Sequence, residues 1–177
     1  MAELSNLLQG FAVTYNDDKS LTFTQIHNST THGGTDPLPA GTAAAEIHLS
    51  VSHSHMATLY KPRLTCPQPD NRFLTLSSRL EKSVQYTLAN GTTVPSDPLI
   101  SYSIDAASGA LTLTQISPAG GANPRHFSFN KDGTLVASAL QGDGRVVIFE
   151  RDTASGKIGK TVAEADVVGA PNFVIFK

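Results

Sequence analysis

The sequence predicts an all-β chain, and two observations support this prediction. Fourteen glycines and ten prolines are spread along the 177 residues and divide them into short segments. Within these segments apolar and polar side chains alternate with period two, which is typical of half-buried strands. Threonine, valine, isoleucine and phenylalanine fill the segments, as strand surfaces favour. We therefore expect short strands joined by turns.

The strand segments can be followed along the whole chain. Two of them alternate in pattern, and two are continuous apolar runs of the length of a buried strand. The stretch 73–90 is long enough without glycine or proline for a helix, but its first half is rich in strand-forming residues, which argues against one. The four clearest segments are residues 20–26, 110–116, 145–150 and 172–176.

Two parts of the chain repeat each other. Residues 125–141 align with residues 45–50 followed directly by residues 69–79, so that Ile47 falls on Phe127 and Phe73 on Leu135. In this alignment Asp70 and Asn71 occupy the Asp-Gly turn positions 132 and 133. The later halves, DAASGAL from 105 and DTASGKI from 152, repeat as well. The unit is four strands joined by tight turns, and units of roughly 40–50 residues are typical of propeller blades.

The repeat divides the chain into four parts. Residues 13–21 look like an earlier, shorter copy of the later half, and residues 171–176 echo residues 124–129. We therefore predict a partial β-propeller of about three four-stranded blades, in one domain. Its parts are an incomplete blade at 1–43, a blade at 44–121 interrupted by an insert at 51–68, a blade at 122–169 and a closing strand at 170–177.

The motifs of the repeat resemble one family in particular. PRHFSFNKDGTL from 124, RVVIF from 145 and TASGK from 153 resemble the lactonase family of seven-bladed β-propellers, which includes bacterial 6-phosphogluconolactonase and fungal carboxy-cis,cis-muconate cyclase. AAEIHLS from 44, joined to PDNRF from 69, is similar to the fungal branch. The resemblance implies an enzyme that forms or opens a lactone of a small anionic organic acid or sugar.

Four residues are candidates for that site. ELSN from 3 resembles a family segment, which makes Glu3 the candidate acid or base. Arg79 ends a second strand where the other copy has Gln141, and an arginine there could clamp a carboxylate or phosphate. Arg125 and His126 open an inner strand, so either could reach the channel and bind substrate.

Three of these candidates also have a structural interpretation. Glu3 could be a surface acid, Arg79 could pair with Glu81, and Arg125 could bond the carbonyls of a neighbouring blade. The sequence alone leaves both interpretations open for each residue.

No metal or organic cofactor is indicated. His53, His55 and Cys66 have the ligand types of a zinc site, but all three lie in the insert and no fourth ligand is near in sequence. The chain has no P-loop, GxGxxG, GxSxG or HExxH motif. We therefore expect neither a nucleotide site nor a serine nucleophile.

Charge and hydropathy argue against two classes of partner. The net charge is −2 without a basic stretch, which disfavours nucleic acid and anionic membranes. No apolar run approaches the roughly 18–20 residues of a membrane span. The N-terminal residues lack the features of a signal peptide, which favours the cytoplasm, while sequons at 28–30 and 90–92 leave the compartment open.

The insert and the length leave further hypotheses open. Residues 51–68 begin with Val-Ser and end with Gln, which can be encoded by splice donor and acceptor sequences, so the insert is either a retained intron or a genuine loop. A seven-bladed ring needs roughly twice this length. The alternatives to an enzyme are a non-catalytic binding propeller and an inactive truncated product, and open strand edges would favour edge-to-edge self-association.

Overall fold

The computed structural model describes residues 1, 3, 5–51 and 69–177, and within them the chain is all-β. Twelve antiparallel strands form four sheets, and these residues contain no helix. The strands are β1 (Leu7–Tyr15), β2 (Leu21–Thr30), β3 (Ala43–Val51), β4 (Pro69–Arg79), β5 (Val84–Thr87), β6 (Thr93–Ser96), β7 (Pro98–Ile104), β8 (Leu111–Pro118), β9 (Pro124–Phe129), β10 (Leu135–Leu140), β11 (Arg145–Arg151) and β12 (Ile158–Asp166). Among the described residues no helix has the length and hydrophobicity to cross a membrane.

Two of the sheets have the predicted four-stranded form. The order β3-β4-β7-β8 defines the middle sheet, and the order β9-β10-β11-β12 defines the C-terminal sheet. Strands β1 and β2 form a separate two-stranded N-terminal ribbon, and β5 pairs with β6 in a small hairpin. In both four-stranded sheets the order follows the sequence from inner strand to outer strand, as the repeat predicts.

The strand register agrees with the repeat alignment for the strands that pair in both sheets. Ile47 pairs with Leu76 in the middle sheet, and the aligned Phe127 pairs with Ser138 in the C-terminal sheet. The turns at 105–109 and 152–156, which precede the outer strands β8 and β12, also match. Gly109 donates to the Asp105 carbonyl and Gly156 to the Asp152 carbonyl, both at 2.8 Å.

The predicted turn at Asp70 and Asn71 is wrong. These residues belong to β4, which begins at Pro69, paired with Val51. In the C-terminal sheet the equivalent strand begins only at Leu135, after the turn. Seventeen residues lie between the end of β3 at Val51 and the start of β4 at Pro69, whereas only five separate β9 from β10. Strands β3 and β4 therefore both extend beyond the positions that align with the turn between β9 and β10. Most of the predicted insert, residues 52–68, lies outside the described residues.

The stretch 73–90 is not helical, as its strand-forming residues predict; it contains the rest of β4, a loop and β5, so a hairpin is inserted between the second and third strands of the middle sheet. The C-terminal segment differs from the prediction. Residues 170–177, predicted as a closing strand, are not paired in a sheet with any described strand. They pass beside β9 instead, where the Val174 amide donates to His126 Nδ1 at 3.4 Å.

The hydrophobic core lies between neighbouring sheets. Leu8 of the N-terminal ribbon packs with Leu76 and Ile100 of the middle sheet. Leu99 of the middle sheet packs with a second group that includes Phe127 and Val147 of the C-terminal sheet. Because each sheet buries side chains against the next one, the sheets stack face to face in chain order.

The outer turns also connect neighbouring sheets. A Cβ added to Gly156, at φ +73°, would lie only 2.5 Å from the Phe73 ring of the middle sheet. Arg72 donates to the Ala154 carbonyl in the same turn at 3.0 Å. Gln115 of β8 exchanges two hydrogen bonds with the backbone of Ile158.

We predict that Gly156→Ala destabilises the chain more than Gly91→Ala does. Both glycines have positive φ, +73° and +82°, so alanine introduces backbone strain of about 1–2 kcal/mol at either position. Only Gly156 has a ring in the space that the new Cβ needs, whereas nothing lies within 4 Å at Gly91. Urea unfolding should show a loss at least ~1 kcal/mol larger for Gly156→Ala. Equal losses for the two variants would contradict this packing.

We predict that Tyr102 makes stability fall at alkaline pH. Burial raises the pKa of Tyr102 from 10.0 to about 12, and its hydroxyl donates to the Thr31 carbonyl at 2.8 Å. The neutral phenol is therefore favoured in the folded state, so this contribution is complete below pH 10 and is lost as the pH rises towards 12. Urea unfolding between pH 9 and about 11.5 should show a steeper loss in the native chain than in Tyr102→Phe. Parallel curves would argue against it.

Candidate functional site

Three predicted site residues meet at one end of the sheets. Arg79 is the last residue of β4, Arg125 is the second residue of β9, and Glu3 precedes β1. Ala43, at the start of β3, pairs with Arg79, so inner strands begin at the end where second strands finish. Each of the three residues comes from a different sheet or its connection, and the site therefore forms only where the sheets adjoin.

The Glu3 carboxylate bridges two arginines. Its Oε1 accepts a hydrogen bond from Arg79 Nη2 and lies 3.2 Å from Arg125 Nη1. The Arg79 side chain is only 11% exposed, whereas those of Arg125 and Glu3 are 42% and 48% exposed. We call these three residues the Glu3 cluster. It combines a solvent-accessible acid with one largely buried and one accessible cation.

Asn6 holds the Glu3 segment against the middle sheet. Its side chain donates to the Thr42 carbonyl at 2.7 Å and accepts from the Ala44 amide at 2.8 Å, and its carbonyl accepts from Thr31. Asn6 is buried and adopts φ 52°, a conformation that asparagine tolerates better than most residues. These bonds fix the start of β1 beside β3, which places Glu3 within reach of Arg79.

Asp97 organises the loops that carry the two arginines. This fully buried carboxylate accepts four backbone amide hydrogen bonds, at 2.6–3.0 Å. Three of the donors have positive φ: Leu80 (65°), Lys82 (47°) and Asn123 (60°); the fourth is Glu81. Asp97 therefore connects the residue after Arg79 to the residue two before Arg125.

Arg79 retains an unused donor. Its Nε is buried and has no hydrogen-bond acceptor among the described residues. A buried donor without a partner is unfavourable by about 1–3 kcal/mol, which an anionic ligand would relieve. The alternative pairing of Arg79 with Glu81 is not observed, because Glu81 lies 3.2 Å from His32 instead.

His126 belongs to a second cluster. The register of β9 on β10 shifts between Pro124 and His126, so Arg125 and His126 do not follow simple strand alternation. The His126 Nε2 lies 3.7 Å from Glu46 Oε2, and Glu46 Oε1 lies 3.5 Å from His48 Nε2. We call Glu46, His48 and His126 the His–Glu cluster; one ligand atom from each lies within 4.8 Å of the others.

The rings of the His–Glu cluster have an apolar surrounding. The His48 ring centroid is 5.0 Å from that of Phe127, and the His126 centroid is 4.3 Å from that of Phe173. Burial lowers the pKa of His48, the nearby Glu46 carboxylate raises it, and His126 lowers it again. The neutral form of the His48 imidazole is therefore favoured.

This cluster was not predicted from the sequence. The residues that were weighed there as metal ligands are His53, His55 and Cys66, and they lie outside the described residues. The repeat alignment contained a signal, since Glu46 falls on His126 and equivalent positions of successive inner strands adjoin.

Comparison with known proteins identifies the family. Residues 67–176, more than half of the chain, match the family "Lactonase, 7-bladed beta-propeller". The chain belongs to this family. The all-β fold and the four-stranded sheets are accordingly those of a partial lactonase-type propeller, as predicted.

Similar proteins agree with the assignment. The chain is 31% identical over 108 residues to a 6-phosphogluconolactonase of Formosa agariphila, covering 61% of this chain and 27% of the relative. It is similar to the structure of a periplasmic gluconolactonase of Pseudomonas aeruginosa, with a TM-score of 0.66 and 26% identity over 97% of this chain and 36% of that one.

A putative 6-phosphogluconolactonase of Bacteroides fragilis shares the fold, with a TM-score of 0.63 and 22% identity over 96% of this chain and 35% of that one. The chain thus spans about a third of the length of these relatives.

We predict that Asp97→Asn destabilises the chain by about 2–3 kcal/mol. The asparagine side chain is nearly isosteric with aspartate, but an NH2 donor replaces one of the two acceptor oxygens. The two backbone amides that donate to the replaced oxygen therefore lose their acceptor. Asp166→Asn is the control, because that carboxylate is 84% exposed and its ion pair with Arg145 should contribute less than ~0.5 kcal/mol. Chemical denaturation measures both, and a similar small loss in each would show that Asp97 does not organise the loops.

Proposed function

We propose that this chain contributes the Glu3 cluster to the active site of a lactonase that opens the lactone of a small anionic sugar acid, of the phosphogluconolactone class. The observation that carries the proposal is the Glu3 carboxylate held between Arg79 and Arg125, with the Arg79 Nε donor unused. Family membership and the activities of the relatives in Formosa agariphila and Pseudomonas aeruginosa support it.

The cluster has the groups that lactone opening requires. Water must attack the carbonyl carbon, negative charge develops on the carbonyl oxygen, and the bond to the ring oxygen then breaks. Glu3 is accessible to water and can accept the proton of the attacking molecule. The same carboxyl group can return that proton to the ring oxygen as it leaves, which yields the free acid.

The two arginines suit different parts of the substrate. Arg79 is the more buried, so its charge is less screened and stabilises a developing oxyanion more strongly. Arg125 is more exposed and can bind a terminal phosphate or carboxylate through its planar fork of donors. This division orients the lactone carbonyl towards Glu3.

A second candidate reaction uses the same groups to form a lactone by a different route. In a carboxymuconate cyclase, a substrate carboxylate adds across a double bond and an acid protonates the adjacent carbon. Two arginines beside one acid suit a substrate with several carboxylates. The resemblance of residues 44–50 to the fungal branch supports this candidate, so both substrates belong in the assay.

We predict that Glu3→Gln and Arg79→Lys each lower kcat/KM for 6-phosphogluconolactone by at least ~100-fold. Glutamine cannot accept the proton, and lysine lacks the planar fork. Arg125→Gln should mainly raise KM, by roughly ten-fold or more, because it removes an anion contact. Acid release above the uncatalysed rate measures hydrolysis, and lactone formation from carboxymuconate is followed in parallel.

Arg145→Gln is the matched control, since Arg145 pairs with Asp166 between β11 and β12 and should leave activity unchanged. Unchanged kinetics in Glu3→Gln would remove Glu3 from the mechanism. If the native chain neither turns over these substrates nor binds gluconate 6-phosphate by calorimetry, the non-catalytic or inactive alternatives replace the lactonase proposal.

A further inference from the structure

The His–Glu cluster has the composition and placement of a metal site. Glu46 and His48 project from the same face of β3, two residues apart, and His126 projects from the adjacent inner strand β9. Two imidazoles and one carboxylate form a common protein ligand set for zinc with an open fourth position. The cluster is separate from the lactonase groups, so the inference does not rest on the proposed function.

The distances within the cluster suit a shared cation better than direct hydrogen bonds. Separations of 3.5 Å between Glu46 and His48 and 3.7 Å between Glu46 and His126 exceed the usual 2.7–3.2 Å of an N–H···O bond. Two ligands bonded tetrahedrally to zinc at about 2.0–2.1 Å lie about 3.4 Å from each other. Glu46 therefore already lies at ligand spacing from both histidines, through two different oxygens.

One ligand atom is buried without a partner. His48 Nε2 is shielded from solvent and has no hydrogen bond within the described part of the chain. A buried polar atom of this kind is unfavourable unless something binds it. It faces the Glu46 carboxylate, whose side chain remains 30% exposed, so a cation can enter from solvent.

The surrounding residues would stabilise the ligands in place. Phe127 and Phe129 pack edge-on around the His48 ring, and Phe173 packs on the His126 ring. Apolar residues around a site restrict solvent access and lower the local dielectric, which strengthens cation binding.

We propose that Glu46, His48 and His126 bind one divalent cation of the zinc type between β3 and β9, with water as the fourth ligand. The histidines bind through Nε2 and Glu46 through a carboxylate oxygen. One ligand atom from each residue already lies within 4.8 Å of the others, so small side-chain movements close them onto a common centre.

Binding has one identifiable consequence at His126. A metal on Nε2 requires the ring proton on Nδ1, and Nδ1 now accepts the Val174 amide at 3.4 Å. That long hydrogen bond must break, so the cation changes the environment of Val174. The Val174 amide is therefore a reporter of binding at His126.

The test is a titration of the full chain with Zn²⁺ alone and with Co²⁺ as a spectroscopic probe. We expect one tight equivalent, a tetrahedral Co²⁺ spectrum, a rise in Tm and a shift of the Val174 amide resonance. Glu46→Gln, which is nearly isosteric, and His126→Gln should each weaken binding by at least ~100-fold. Their Tm without metal, compared with that of the native chain, shows whether they fold.

Two controls identify where the metal binds. His32→Gln disrupts a histidine–glutamate pair that has no third ligand in the described part of the chain, and it should not change the affinity. The combined His53→Gln, His55→Gln and Cys66→Ser variant should also bind as tightly as the native chain. Loss of binding in that variant, with binding retained in Glu46→Gln, would overturn the proposal, as would the absence of a tight Zn²⁺ equivalent in the native chain.

Discussion

The buried carboxylate of Asp97 is the interaction on which the geometry of the site depends. It bonds four amides from two loops that are far apart in sequence, and three of those residues have left-handed backbone conformations that are unfavourable by themselves. Backbone donors compensate its burial, so the charge needs no cationic partner nearby. One loop continues from Arg79 and the other leads to Arg125, so a single anion sets the separation of the two cations.

The second constraint is that the sheets bury side chains against each other. Leu8 joins the N-terminal ribbon to the middle sheet, and Leu99 and Phe73 join the middle sheet to the C-terminal one. Each element of the Glu3 cluster comes from a different layer of this stack. The spacing between acid and arginines is therefore a property of sheet packing, and a change in the outer turns can reach the site through it.

Features that recur in both four-stranded sheets could be predicted from the sequence, whereas the role of the non-repeated residue Asp97 could not. Alternation and the repeat predicted the two four-stranded sheets, and the departure of Arg79 from Gln141 indicated a specialised strand end. Asp97 gave no signal, because Ser-Asp-Pro resembles an ordinary turn and its partners lie 15–26 positions away. The turn at Asp70 and Asn71 was predicted from the β9–β10 hairpin of the C-terminal sheet, but the corresponding strands of the middle sheet, β3 and β4, are longer.

The adjacent residues Arg125 and His126 show why one motif can serve two sites. Both were expected to bind substrate, and Arg125 lies beside Glu3 whereas His126 lies beside Glu46. The irregular register at the start of β9 thus lets two adjacent residues join an anion-binding cluster and a cluster suited to cations. Since a cation beside Glu3 would compete with its arginines, and an anion beside Glu46 would be repelled, the two clusters favour opposite ligands.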